Sequence, residues 1–87
     1  MIGQFVSSKA GHDKDTIYVI VGEQGDFVYL SDGRLKAPDH PKKKRRKHVQ
    51  PTNDMVNPSL REKLETGQVL NKEEILSAIR QYKNSKQ

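Results

Sequence analysis

The sequence contains no cysteine. A chain without cysteine forms no disulfide framework and no thiolate zinc site, and it suits a reducing compartment. The chain also has no apolar run near the ~20 residues that span a bilayer, and residues 1–4 lack the charged-then-apolar pattern of a signal peptide. We therefore expect a soluble, cytoplasmic protein with no membrane partner, stabilised by its own core.

That core must be small. The chain has 87 residues, of which 32% are apolar and 31% are charged. This composition allows one small domain with a modest core, and a division into two domains would leave neither with enough buried surface. We expect one domain with an appendage, monomeric when free.

The sequence also has few residues suited to catalysis. The candidate nucleophiles and ligands are Ser7, Ser8 and Ser31, and the histidines His12, His40 and His48. The serines have no base at a recognisable spacing, and the histidines lack the paired spacing of metal ligands. We therefore expect no enzymatic activity, no metal site and no cofactor. The histidines fit better as phosphate or base contacts, or as residues without a functional role.

Residues 2 to 36 have the pattern of short β-strands. The β-prone runs are Phe5–Val6, Thr16–Val21 and Phe27–Leu30. The segment Gly22–Asp26 contains two glycines and predicts a hairpin loop between the last two runs. Asp32–Gly33 predicts a tight turn, after which Arg34–Lys36 is expected to return as a short third strand. Short strands at close spacing favour a small barrel over an open sheet, because closure removes exposed edges.

The segment from residue 37 to residue 58 contains every proline of the chain: Pro38, Pro41, Pro51 and Pro58. Proline at this spacing excludes a helix or a central strand. The sequence therefore predicts an extended or looping segment, with a basic loop over residues 37–48. His48–Gln50 is expected to rejoin the sheet as an edge strand that ends at Pro51.

Six consecutive cationic residues, Lys42 to Lys47, carry most of the positive excess. The net charge of residues 37 to 58 is +4, against −1 for residues 1 to 36 and +5 for the chain. Adjacent like charges repel one another unless a polyanion neutralises them, so a nucleic-acid backbone is the first partner to consider. Similar runs also serve nuclear import, anionic membranes and heparin-like polymers, or remain solvated loops.

Residues 59 to 87 change to helical periodicity. The first predicted helix begins at the Asn57–Pro58 cap and ends at Thr66–Gly67. The second begins at Asn71, three positions before a Glu74 that can reach back to it. Its apolar stripe consists of Ile75, Leu76, Ile79 and Tyr82. Such short helices are not stable alone, so we expect them to pack on the β part or on a partner.

The segment Gly3–Lys14, followed by an apolar β run and Asp32–Gly33, closely resembles the KOW motif. In that family a short strand leads through a glycine-containing loop into a long strand of an SH3-like barrel. The chain is most similar to single-KOW large-subunit ribosomal proteins and short bacterial KOW-domain RNA-binding proteins. These share a strand ending in Ser, a Gly-x-Asp-Lys loop, a Val-rich strand, an Asp-Gly turn and a Pro-Lys-Lys run, in that order. The resemblance covers residues 1 to about 52, and it departs at Asp15, where relatives often have glycine.

The resemblance implies a mainly β fold with a helical tail. A small SH3-like β-barrel of the KOW type, with the basic loop 37–48, would occupy residues 1–52, and two short α-helices would form an extension over residues 53–87. It also implies binding of structured RNA, most of all ribosomal RNA, by a ribosomal or ribosome-associated protein. The implied contacts are Lys9, Gly11, His12, Lys14, Lys42, Lys43, Lys44, Arg45, Arg46, Lys47 and His48.

The loop around Gly11 has its own physical rationale. A residue without a Cβ allows positive φ and a close approach of backbone to a flat or anionic surface.

Two other functions remain open from the residues. One is a protein-interaction module that docks on ribosomal proteins or the transcription machinery through the helical stripe. The other is an adaptor whose basic run is a nuclear import signal.

Overall fold

The computed structural model describes residues 1–9, 16–34, 36–68 and 71–85. The elements are β1 (Gln4–Ser8), β2 (Ile17–Gln24), β3 (Phe27–Ser31), β4 (Lys42–Arg45), β5 (Val49–Met55), α1 (Pro58–Glu65) and α2 (Lys72–Ser85). A 3₁₀ turn, Arg46–His48, joins β4 to β5. Within the described residues, neither α1 nor α2 is long and apolar enough to cross a bilayer.

The strands form one antiparallel sheet in the order β4-β3-β2-β1-β5. Its hydrogen-bonded ladder begins at β4 and ends at β5, so the described residues form an open five-stranded sheet. The predicted hairpin between β2 and β3 is confirmed. Its loop is shorter than predicted, because β2 continues through Gly22 and only Gly25–Asp26 make the turn. Gly25 has a φ of +57°, a conformation that favours glycine.

The predicted third strand at Arg34–Lys36 is wrong for the two of its residues that the structure describes. The side chain of Asp32 accepts hydrogen bonds from the backbone N–H of Arg34 (2.8 Å) and of Lys36 (3.0 Å). The hydroxyl of Ser31 donates to the carbonyl of Lys36 at 2.6 Å. These side chains take the bonds that a neighbouring strand would have made, so the chain closes into a compact loop.

The basic run is the second correction, because four of its six residues belong to the sheet and not to a loop. Residues Lys42–Arg45 form β4, which pairs with β3 from Leu30 opposite Lys42 to Phe27 opposite Arg45. Pro38 and Pro41 precede the strand, so they remove no donor from its ladder. As an edge strand, β4 pairs on one side, and exposed lysines there disfavour pairing with a further chain.

The sequence predicted that the last strand ends at Pro51, but β5 does not end there. The strand continues to Met55, and the predicted boundary between residues 52 and 53 falls inside it. A register shift opposite Gln4 and Val6 accommodates the proline. The hydroxyl of Thr52 donates to the carbonyl of Phe5 at 2.8 Å, and the amide of Gln4 donates to the carbonyl of Thr52 at 2.7 Å. Side-chain bonds thus support the pairing at the irregularity.

Both predicted helix starts are confirmed. The side chain of Asn57 accepts from the backbone N–H of Leu60 at 2.8 Å, and the side chain of Asn71 accepts from that of Glu74 at 3.0 Å. Each asparagine thereby satisfies a donor that has no partner within the helix. The two predictions held because a helix cap depends on residues close together in sequence.

The helices pack on the sheet, which is one of the two expected alternatives. Their buried residues share a core with Phe5 and Val19, and this core consists of Phe5, Val19, Val56, Leu60, Leu64, Ile75, Ala78 and Ile79. Tyr82 stacks on Phe5 with ring centroids 4.6 Å apart. The opposite face carries a second core made of Val6, Tyr18, Ile20, Val28, Leu30 and Val49. Of the predicted stripe, Leu76 is half-buried outside these cores.

Candidate nucleic-acid interface

Side-chain alternation in β4 divides the basic run between the two faces of the sheet. Lys42 and Lys44 are half-buried, whereas Lys43 and Arg45 are exposed. Successive residues of a strand point to opposite faces, so the two pairs point in opposite directions. The six cations therefore do not all point to one side of the sheet, although the sequence analysis assigned all six to RNA contacts.

Lys43 and Arg45 lie over the same aromatic ring. The ammonium of Lys43 is 4.3 Å from the ring centroid of Phe27, and the guanidinium carbon of Arg45 is 5.4 Å from it. Both distances are within the range of cation–π attraction. The sequence analysis missed Phe27 as a site residue. Its pairing with the basic run could have indicated it, but that pairing was not predictable while the run was assigned to a loop.

Lys42 and Lys44 face the second core. Lys44 donates a hydrogen bond to the hydroxyl of Ser8 in β1 at 2.5 Å, and the ammonium of Lys42 lies 5.9 Å from the ring centroid of Tyr18. Burial lowers the pKa of Lys42, and the charge of Lys44 lowers it further. Burial also raises the pKa of Tyr18, with a contribution from Asp32. Lys42 and Lys44 are thus less available to a ligand than Lys43 and Arg45.

Arg46 binds to the β2–β3 hairpin from the 3₁₀ turn. Its backbone N–H donates to the carbonyl of Asp26 (2.8 Å), its Nε donates to the carbonyl of Gly25 (2.9 Å), and its Nη1 lies 3.3 Å from Glu23. A hydrogen bond from the α-amino group of Met1 lowers the pKa of Glu23 the most; burial opposes the shift, and Arg46 adds to it. Arg46 therefore has a structural role that the sequence analysis did not anticipate.

We expect Arg46→Gln to lower the free energy of unfolding, because it removes the bonds to Gly25 and Glu23. The loss should be only about 1 kcal/mol, since these bonds are exposed. Lys47→Gln is the matched variant, with the same change of charge at the next position. It should leave stability unchanged and weaken RNA binding more than Arg46→Gln does. Urea denaturation and RNA titration of both variants test this separation. Equal effects of the two variants on both measurements would contradict it.

Three further predicted contacts, Lys9, Lys47 and His48, meet at the end of the 3₁₀ turn. Lys47 and His48 are exposed there, and the backbone N–H of Lys9 donates to the carbonyl of His48 at 3.1 Å. The structure thus brings together the start of the predicted glycine loop and the end of the basic run, which are far apart in sequence. Gly11, His12 and Lys14 lie outside the described residues.

Among residues 1–9, 16–34, 36–68 and 71–85, no group of three or more His, Asp or Glu side chains is placed to hold a metal ion. No protein-family model and no curated protein matches the chain. The case for an interface therefore depends on the geometry of these residues.

Proposed function

We propose that this protein binds structured RNA, most of all ribosomal RNA, as a cytoplasmic ribosomal or ribosome-associated protein without enzymatic activity. In this proposal the sheet is an SH3-like barrel of the KOW type, as the resemblance of residues 1 to 52 suggests. The proposed phosphate-binding surface consists of Lys9, Lys43, Arg45, Lys47 and His48, and the proposal retains Gly11, His12 and Lys14, which follow Lys9 in the sequence, as further contacts.

The observation that carries the proposal is the contact between Lys9 and His48. Two segments that the sequence singled out independently, for their glycine loop and for their charge, adjoin in the fold through this 3.1 Å backbone bond. Exposed cations on a sheet edge and on a neighbouring turn can follow a phosphate backbone over several nucleotides. RNA helices are recognised mainly by shape and through phosphate and 2′-hydroxyl contacts, which such a surface supplies.

The helical stripe offers less to the alternative of protein docking. Ile75 is fully buried and Ile79 is 5% exposed, both against the sheet. A partner helix could reach them only by displacing the tail from Phe5 and Val19. The stripe is therefore better explained as core than as an interface.

Sedimentation of a cell lysate through sucrose gradients at low and high salt tests the proposed function. We expect the chain to migrate with ribosomal particles at about 0.1 M salt and to leave them at about 0.5 M, because counterion release makes phosphate binding steeply salt-dependent. Ribonuclease treatment should release it as well. Migration with a protein complex that resists both treatments would contradict the proposal.

A further inference from the structure

One face of the sheet has a part, formed by β3 and β4, to which the core beneath the helices does not extend. The core beneath α1 and α2 takes its sheet side chains from β1 and β2. Because Val28 and Leu30 point to the opposite core, Phe27 and Tyr29 lie on the helix side of β3. Both are half-buried, with Lys43 and Arg45 beside them on β4. This part of the face therefore combines two aromatic rings with two exposed cations.

A cleft borders this surface. Its volume is about 410 Å³, and its apolar walls are formed by Val21, Tyr29, Pro38, Pro41 and Leu64. Asp39 and Gln68 line it with polar side chains. A volume of this size is within the range of ~300–1,000 Å³ that small-molecule sites occupy in proteins. A mostly apolar cleft with a few polar groups is typical of a small-molecule site.

The ring of Tyr29 is held in place before any ligand binds. Its hydroxyl donates to the side chain of Gln24 at 2.7 Å. A Cβ added at Gly22, opposite Tyr29 in the ladder, would lie 3.3 Å from the ring, so the glycine lets the ring lie close to β2. Such pre-organisation lowers the entropy that a stacked ligand must overcome.

The charges beside the cleft select its occupant. Lys43 is the ladder partner of Tyr29, so a cation stands next to the ring that lines the cleft, and Arg45 and Lys47 continue the positive surface. A nucleotide joins a flat base to a phosphate and matches both features. An apolar peptide segment or a second copy of this basic chain would match the cleft but not the neighbouring charge.

We propose that this cleft binds an unpaired base of RNA, of the kind that bulges out of structured RNA, while Lys43 and Arg45 hold the adjacent phosphates. The inference rests on the proposed function and adds to it a site for single-stranded nucleotides. Bases stack on aromatic side chains in many RNA-binding sheets. The carboxylate of Asp39 accepts from exocyclic amino groups, and purines stack best, so adenine is favoured over uracil.

Fluorescence anisotropy with three labelled RNA probes tests the site. The probes are oligoadenylate and oligouridylate of about ten nucleotides and a blunt duplex of about 16 base pairs. We expect the protein to bind oligoadenylate more tightly than oligouridylate. Tyr29→Leu should weaken oligoadenylate binding about tenfold or more and leave duplex binding unchanged, because a stacking platform is lost. Tyr29→Phe keeps the ring but loses the bond to Gln24, so it should weaken oligoadenylate binding much less than Tyr29→Leu does. Asp39→Asn should narrow the difference in affinity between the two single strands.

The outcomes separate the two proposals. If the protein binds the duplex and both single strands, and Tyr29→Leu with an unchanged melting temperature binds all three like the parent, the cleft is not a base site and the proposed function stands. If no probe binds at about 0.1 M salt, the proposed function fails together with the cleft. If Tyr29→Leu alters only the concentration dependence of the molecular mass in sedimentation equilibrium, a second copy occupies the cleft and the base site is wrong.

Discussion

Replacing Lys43, Arg45 and Lys47 together with glutamine is expected to weaken RNA binding by about two orders of magnitude, since each charge-assisted contact contributes roughly 1 kcal/mol or more. Each lost phosphate contact should also lower the slope of log K against log salt by about 0.7 to 0.9, which gives a decrease of roughly two to three for the triple variant. All three side chains are exposed, and Lys43 and Arg45 point away from the second core, so the fold should remain intact. Titrations at several salt concentrations measure both quantities.

Two controls distinguish a local interface from net charge. The first replaces Lys72, Arg80 and Lys83 with glutamine, which removes the same charge from exposed positions of α2. It should change affinity little, because none of the three belongs to the proposed surface and exposed charges act mainly within a Debye length of ~10 Å at 0.1 M salt. The second control replaces Lys42 and Lys44, which face the second core. It should reduce the slope of log K against log salt less than the triple replacement of Lys43, Arg45 and Lys47 does. If all three variants lose affinity equally, RNA binding depends on overall charge and not on this surface.

Gly33→Ala is expected to destabilise the protein by about 3 kcal/mol or more, a large part of the ~5–15 kcal/mol that stabilises a small domain. Gly33 has a φ of +73°, in the left-handed region that costs other residues about 1–2 kcal/mol. An added Cβ would also lie 2.7 Å from the backbone N of Leu76 and 2.8 Å from the carbonyl O of Lys72. Backbone atoms of a helix yield little, so α2 would have to move away from the turn. Urea denaturation followed by far-ultraviolet circular dichroism measures the loss.

Gly25→Ala is the matched control for this prediction. Gly25 also has positive φ, at +57°, but a Cβ there would have no atom within 4 Å. Gly25→Ala should therefore lower the stability only by the about 1–2 kcal/mol that positive φ costs a residue with a Cβ. The difference between the two variants therefore isolates the close approach of the Asp32–Gly33 turn to α2. Equal losses would show that α2 is not held against this turn.

The Asp-Gly turn illustrates what a local pattern can and cannot predict. The sequence predicted a tight turn at Asp32–Gly33, and the structure has one, closed by the side chain of Asp32. The same pattern did not show that Gly33 touches the backbone of α2, because that contact joins residues about 40 positions apart. The predicted strand after the turn failed because the carboxylate of Asp32 accepts from the backbone N–H of Arg34 and Lys36, while the hydroxyl of Ser31 donates to the carbonyl of Lys36.

The candidate site divides in the same way. The sequence by itself determined where the positive charge lies, since six consecutive cations need no fold to be seen. It also determined the two helix caps, the β2–β3 hairpin and the mainly β character with a helical tail, because these depend on neighbouring residues and on simple periodicity. A run made only of cationic residues has no alternation of apolar and polar side chains, so it could not show which cations point outward. Only the pairing of β4 with β3 decided that Lys43 and Arg45 lie over Phe27 while Lys42 and Lys44 face the core, because the direction of a side chain in a strand depends on the strand's partner.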